Sequence, residues 1–442
     1  MTTDISVPLA ALLPAAITTA LPSSLPSTLP AALTTAKVRT RPLTNTFTVS
    51  RFGRYIPRTA STTIETHTSI QEVMADSFYG FQVILPNNGP AIAGCTVQVC
   101  VASAIGADNV VPITPTGGTW TNATLNGSTT INIAAQIANE VPSYTILDVS
   151  PLRSLARTDS GTKAIVCVRI QFPTTISPMI PANNTYYWAT SGQAQPILKG
   201  SYQAVAGITT PANYTTTTVS YDSVFHPAIR YFSPRAGKLV MVNGDSTVEG
   251  IGGDIRAFGA VQRACAALSS PTAPVEWFNA ALHAQTPATY SQMVSNHLDK
   301  VNPTALFYAP YSINNTYTSS TVTAILQEDY TALSRVLSTV SLKTAPPALY
   351  FLEGAPTNTA YRALGAYDTT VRRFMNSEAA LLTNNYGGVA VVPGYQAAVA
   401  GADDGSGQIQ IASGMASSDN VHFSNAGYVA LQAVVQPTVA AL

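Results

Sequence analysis

The stretch Lys238-Leu-Val-Met-Val-Asn-Gly-Asp-Ser-Thr-Val-Glu-Gly-Ile-Gly-Gly253 decides how the second half of this chain folds. An apolar run of strand length, Leu239 to Val242, stops at Asn243-Gly244-Asp245-Ser246 and is followed by three further glycines. The run specifies a buried strand, and the glycine-rich tail specifies a tight turn into a helix. Ser246 then stands where strand hands over to helix, exposed and held still. A nucleophilic serine needs such a place, with a base within hydrogen-bond reach and N–H donors for a developing oxyanion. Gly-Asp-Ser is also an ordinary turn tripeptide, so the serine acquires chemical meaning only through a partner elsewhere.

That partner is Ser418-Asp419-Asn420-Val421-His422-Phe423, in which a carboxylate precedes a histidine by three residues and an apolar, helix-like run from Tyr428 to Val435 follows. A spacing of three lets one short turn present both side chains on the same side. Asp419 can then orient His422, and His422 can take a proton from Ser246. In this order, Ser, Asp, His, the chain resembles the SGNH (GDSL-like) hydrolase superfamily, whose first block is a strand ending in Gly-Asp-Ser and whose last is Asp-x-x-His. Two intervening blocks have altered counterparts. Asn279-Ala-Ala-Leu-His-Ala284-Gln-Thr286 matches a second block that usually carries glycine at the position of Ala284. Pro310-Tyr-Ser312-Ile-Asn314-Asn315 follows an apolar run and matches a third block that usually reads Gly-x-Asn-Asp. The resemblance covers about residues 236–442. It implies Ser246 as nucleophile, His422 as base and Asp419 as its partner. It further implies an oxyanion hole from the N–H groups of Ser246 and Ala284 with the Asn314 amide, and His283 and Asn315 as candidate pocket residues. It implies no cofactor.

The full chain has 442 residues, more than a single core usually covers, so several domains are expected. Only 10% of residues are charged, with 22 basic against 22 acidic, which argues against a nucleic-acid grip and against steering of a highly charged substrate. The four cysteines, Cys95, Cys100, Cys167 and Cys265, have no metal-ligand spacing. Cys95 and Cys100 lie on opposite faces of an alternating run, and buried free thiols are expected. Besides His422 and His283, the histidines His67, His226 and His297 are scattered, which leaves no candidate metal site.

Residues 1–60 are expected to form a low-complexity arm. Residues 1–36 are Ala, Leu, Thr, Ser and Pro, with no positive n-region of a secretory signal and no apolar run long enough for a membrane span. Lys37 to Arg58 carries six basic residues, Arg51 among them, and no acidic one. It fits either a solvated linker or a segment that docks the chain onto a larger particle or into a homo-oligomer such as a trimer. Residues 61–235 carry short alternating strands, Ser77 to Leu85, Gly94 to Ala102 and Lys163 to Gln171, between Thr- and Gly-rich loops, and are expected to form a β-sandwich of jelly-roll type. Trp120, Trp188, Tyr186 and Tyr187 are candidate sugar-stacking platforms there. Residues 236–442 alternate strand and helix, with helical spacing from Val322 to Leu337 and apolar strand runs at Pro347 to Leu352 and Gly388 to Val392, which specifies an α/β three-layer, flavodoxin-like domain with a parallel sheet.

The expected function is an SGNH-type serine esterase that deacetylates an O-acetylated polysaccharide through an acyl-enzyme, extracellular or virion-associated. Two alternatives stand beside it. One is a structural virion protein, of tail or spike, with an inactive hydrolase fold. The other is a carbohydrate-binding protein that uses the sandwich.

Overall fold

One sixteen-residue strand, Ala228–Asn243, takes part in two kinds of sheet. Its first residues pair antiparallel with neighbours from the N-terminal half, and its last six pair parallel with strands of the C-terminal half. Between them Pro234 to Ala236 are exposed. The expected boundary at 235/236 thus falls inside a continuous strand. Just beyond it, Gly237 lies so close to the Pro274 carbonyl oxygen that a Cβ would meet it at 2.0 Å, so only glycine fits.

The computed structural model describes residues 42–51, 55–57, 64–104, 119–138, 142–150, 152–158, 162–173, 179–183, 198–203, 224–253, 257–314, 322–356, 366–385, 388–403 and 409–442. The N-terminal half contributes β1 (Thr44–Val49), β2 (Tyr55–Pro57), β3 (Glu65–Glu72), β4 (Gly80–Asn87), β5 (Ile92–Ala102), β6 (Thr121–Thr124), β7 (Ile131–Ile133), β8 (Ser143–Val149), β9 (Ile165–Phe172), β10 (Met179–Asn183), β11 (Leu198–Gln203), β12 (Val224–Phe225) and the long β13 (Ala228–Asn243). Strands β13, β4, β8 and β6 pair in that order, and β6 hands the pairing on to β5, β9, β3 and β11. The four-residue β6 makes the corner: Ala123 and Thr124 face β8, while Thr121 and Asn122 face β5. Phe81, Val83 and Leu147 on one side of this corner and Val97, Val99, Val166 and Val168 on the other belong to one buried cluster.

Downstream come α1 (Ser246–Glu249), α2 (Ala260–Leu268), β14 (Val275–Asn279), α3 (Pro287–Val301), β15 (Ala305–Tyr308), α4 (Val322–Ser341), β16 (Ala348–Phe351), α5 (Ala366–Asn385), β17 (Val389–Val391), β18 (Ala400–Asp403), β19 (Ile409–Ile411) and α6 (Asn425–Ala440). The parallel strands lie in the order β14-β13-β15-β16-β17. Numbered within this half, that is 2-1-3-4-5, the flavodoxin-like order, whose ligand crevice opens between the first and third strands. Alternation along β13 sends Val240 and Val242 to the face covered by α2 and α6, and Leu239 and Met241 to the face covered by α3, α4 and α5. The latter core is continuous with that of the antiparallel half. No helix among the described residues is long and apolar enough to cross a membrane.

The first segment differs from expectation. Residues 42–51, placed by sequence in an arm, belong to the fold. Strand β1 pairs antiparallel with β13 from Val49↔Ile229 to Thr44↔Gly237, and Phe47 and Val49 are fully buried. Phe47 stacks on Tyr231 with ring centroids 5.0 Å apart. Ser50 then bridges Phe278 in parallel, which places the segment beside β14. Arg51 is not solvated. Its Nη2 donates to Glu276 Oε2 at 2.9 Å and to the Glu72 carbonyl at 3.1 Å, and the guanidinium lies 3.8 Å from the Trp277 ring centre. The reason is a fully buried carboxylate 225 residues away, invisible in a local charge count. Residues 1–41 lie outside the described residues.

The scattered histidines and the thiols are interior groups. His226 is pushed down to about 3 by burial and then by His67, and accordingly stays neutral while its Nδ1 meets Ser69 Oγ at 2.9 Å. Burial likewise takes His297 down to about 4. All four cysteines are buried and free, with Cys95 in the main core and Cys100 in a separate small cluster with Cys167. The Trp120 ring packs on that cluster and is covered by the Arg169 guanidinium at 4.1 Å, so it offers no open platform to a sugar. Trp188, Tyr186 and Tyr187 lie outside the described residues.

Removing one partner of a buried ion pair leaves the other charge uncompensated. Arg51→Ala is expected to cost about 3–5 kcal/mol of stability, read as a lower urea midpoint.

Candidate active site

The Ser246 turn follows directly from the end of β13. Asn243 is fully buried, and its amide donates to the carbonyls of Ala280 (2.8 Å) and Tyr290 (2.9 Å), tying the strand end to the loop after β14 and to α3. Gly244 has no room for a side chain, since a Cβ would meet Val248 at 2.6 Å. Asp245 caps α1: its Oδ1 accepts from the Thr247 N–H at 2.9 Å and from the Thr247 hydroxyl at 2.6 Å. Ser246 is the first residue of this turn, where no intrahelical acceptor exists for its own N–H. The residue as a whole is only 3% exposed, less open than the sequence suggests.

His422 reaches this serine from the turn before α6. Its Nε2 lies 2.7 Å from Ser246 Oγ, and its Nδ1 lies 2.5 Å from Asp419 Oδ2. The Asp419 Oδ1 accepts from the Ser417 hydroxyl at 2.5 Å and from the N–H groups of Val421 and His422, both at 3.0 Å. Partial burial pushes the Asp419 carboxyl up. The hydrogen bonds from the His422 ring, the Ser417 hydroxyl and the two N–H groups outweigh it and hold the group well below the usual carboxylate range. The carboxylate therefore stays ionised and fixes the Nδ1–H tautomer of His422, leaving Nε2 to accept from serine. Room for the imidazole comes from Gly252, at φ 96°, where a Cβ would meet the His422 Cβ at 2.5 Å. The Tyr428 hydroxyl on α6 donates its one proton to the Ile251 carbonyl at 2.7 Å, with the Thr247 carbonyl 3.0 Å away, locking the histidine element onto the serine element.

The second and third blocks arrive from the neighbouring strands β14 and β15. Ala284 lies in an exposed turn at φ 59°, the left-handed region where the family pattern has glycine, and its N–H donates to no group of the described residues. His283, just before it, stacks on His422 with ring centroids 6.1 Å apart and planes 22° from parallel. Asn314 stands in the turn after β15. Its Nδ2 donates to the Gln285 carbonyl at 2.9 Å and to Ser312 Oγ at 3.0 Å, so both amide hydrogens are engaged before any ligand binds. Asn315 lies outside the described residues. The structure thus brings Ser246, His422 and Asp419 into one hydrogen-bonded line, sets His283 against that line, and places Ala284 and Asn314 on the adjoining turns.

Several supporting groups escape sequence reasoning. Asp245, Ser312, Gln285 and Tyr428 hold the turns to one another. A small recess of about 20 Å³ adjoins the Ser246 turn, lined by Val248, Ala309, Ile313, Leu352, Tyr395 and Phe423 among others. Among the described residues no group of three or more His, Cys, Asp and Glu side chains is disposed to hold a metal ion.

Solved structures resemble this chain over part of its length. The lipase/acylhydrolase from Enterococcus faecalis matches with 16% identity over 46% of this chain and 95% of that one, TM-score 0.34. TesA matches with 18% identity over 46% and 98%, TM-score 0.34, and the psychrotrophic esterase EstA from Pseudoalteromonas sp. with 11% over 46% and 97%, TM-score 0.34. No protein-family model matches the chain. No curated protein matches it.

A non-glycine residue in the left-handed region carries a steric cost of roughly 1–2 kcal/mol, partly offset because glycine is freer when unfolded. Ala284→Gly is expected to raise stability by up to about 1 kcal/mol in urea denaturation.

Proposed function

We propose that this chain is a serine ester hydrolase of SGNH type, with an O-acylated carbohydrate as substrate and an acyl-enzyme as intermediate. The observation that carries the first part is the line Ser246 Oγ, His422 Nε2, His422 Nδ1, Asp419 Oδ2, with separations of 2.7 and 2.5 Å. The carbohydrate part has a different support, the low charge of the chain, which suits a neutral, hydroxyl-rich substrate better than a highly charged one.

In this mechanism Ser246 Oγ attacks the ester carbonyl carbon as its proton passes to His422 Nε2. The carbonyl oxygen becomes an oxyanion that accepts from the N–H groups of Ser246 and Ala284 and from the Asn314 amide, once that amide gives up one of its two internal partners. Collapse expels the alkoxide, which takes the proton from His422 and leaves as the alcohol. Water, deprotonated by His422, then attacks the acyl-serine; the Oγ–acyl bond breaks, His422 returns the proton to Ser246 Oγ, and the carboxylic acid leaves. Throughout, Asp419 holds the imidazole and stabilises its charged form.

A second reading, a hydrolase fold retained for structure in a particle, is favoured by the engaged Asn314 amide and by the altered second and third blocks. Turnover separates the two. Wild-type chain should hydrolyse p-nitrophenyl acetate, and a fluorophosphonate probe should label Ser246 by mass spectrometry. Ser246→Ala should lose on the order of 10⁴-fold or more in kcat with an unchanged melting temperature. An inert wild type that resists the probe would establish the structural reading instead.

The pH dependence has a definite sign. An imidazole base must be neutral to accept the serine proton, so kcat/KM should fall toward acid pH through one ionisation. Asp419 does not add a second step in that range, because its carboxyl is held below the ordinary one. Asp419→Asn should lower kcat by roughly 10²–10⁴-fold while the fold persists, since it removes the charge that orients the ring and not its packing. Full activity of His422→Ala at neutral pH would remove histidine from this role.

A further inference from the structure

Ser312 replaces the glycine usual at its position in the third block, and its hydroxyl is the meeting point of two catalytic turns. The residue is 1% exposed. Its Oγ lies 2.6 Å from Asp245 Oδ2, and the hydroxyl has one proton to give. A second acceptor, the Gln285 carbonyl, stands farther off at 3.3 Å. Donation to the carboxylate is the shorter, charge-assisted bond and takes the proton. The lone pairs of Oγ then accept from the Asn314 Nδ2 at 3.0 Å and from the Asn314 backbone N–H at 3.2 Å. On the other side of the same carboxylate, Oδ1 binds the N–H and hydroxyl of Thr247, the residue after the nucleophile. Asp245 is 3% exposed, so both of its oxygens need these donors.

We infer that Ser312 is a positioning residue: anchored on Asp245, its hydroxyl holds the Asn314 amide in register with Ser246, so that the amide needs to exchange only one partner to reach the oxyanion. The inference rests on the ester-hydrolase reading. A glycine in this place would leave Asp245 Oδ2 short of a donor and Asn314 short of an acceptor. Ser312 touches no reacting atom in this scheme; it acts through Asn314.

The experiment is a double-mutant cycle on the full chain with p-nitrophenyl acetate: wild type, Ser312→Ala, Asn314→Ala and both together, with melting temperatures recorded for each. Ser312→Ala should lower kcat by about tenfold or more while KM stays within about twofold, as expected when transition-state stabilisation alone is lost. In the Asn314→Ala background the same change should cost less than about twofold, because the residue through which Ser312 acts is gone. Ser312→Cys keeps the volume with a weaker donor and serves the same cycle if the alanine variant does not fold. Equal losses in both backgrounds, or a change in KM alone, would overturn the positioning role and leave the hydrolase reading in place. A wild type without turnover would overturn both.

Discussion

A carboxylate removed from water governs how the two halves of this chain are joined. Glu276, on the second strand of the parallel sheet, is fully buried and accepts from Arg51 Nη2, the Met74 N–H and the Tyr231 hydroxyl. An ionised group in such a place is tolerated only if every lone pair finds a donor. Here the donors come from the N-terminal segment, from the turn just after β3 and from the antiparallel part of β13. Satisfying one side chain thus requires three distant pieces of chain to be in place together, and it draws Trp277 under the Arg51 guanidinium as well. The strand that carries Tyr231 runs on, without a break, to the serine turn.

The same logic recurs at smaller scale in the candidate site. Asp245 and Asp419 are both held by donors from more than one direction, yet they do different things. Asp419 is partly open, shares one oxygen with the imidazole and gives the other to its own turn. Asp245 is closed off and spends its oxygens on Thr247 and Ser312. One carboxylate therefore orients the His422 imidazole, and the other ties the Ser246 turn to the turn that bears Asn314. The left-handed Ala284 and the crowded Gly252 mark where backbone sterics were fitted around this chemistry.

Much of the parallel half was legible in the chain. Leu239 to Val242, Pro347 to Leu352 and Gly388 to Val392 read as strands because short apolar runs bounded by Gly, Pro or Asn have few other fates, and strands appear at those places. The helical stretch from Val322 was equally plain. Ser246, Asp419 and His422 were named from two local motifs. Residues 42–51 were misjudged for a physical reason: the alternation of Thr46, Phe47, Thr48 and Val49 is short, and the six uncompensated basic residues from Lys37 to Arg58 pointed to a solvated or docking arm. Ser312 and Tyr428 gave no signal, since a hydroxyl acquires a role only from what stands within 3 Å.

Sequence by itself determined what local rules govern: the strand-to-helix turn at Ser246, the three-residue step from Asp419 to His422, the alternation of β and α after residue 237, and opposite faces for Cys95 and Cys100. Each depends on backbone preference or on side-chain period within a few residues. Tertiary structure alone decided that Arg51 is buried and paired, that Trp120 lies under Arg169, that His283 stacks on His422 and that the Asn314 amide is held by Ser312 and Gln285. Those outcomes turn on partners far apart in the chain, and burial and hydrogen-bond satisfaction act on distances in space, which no local pattern encodes.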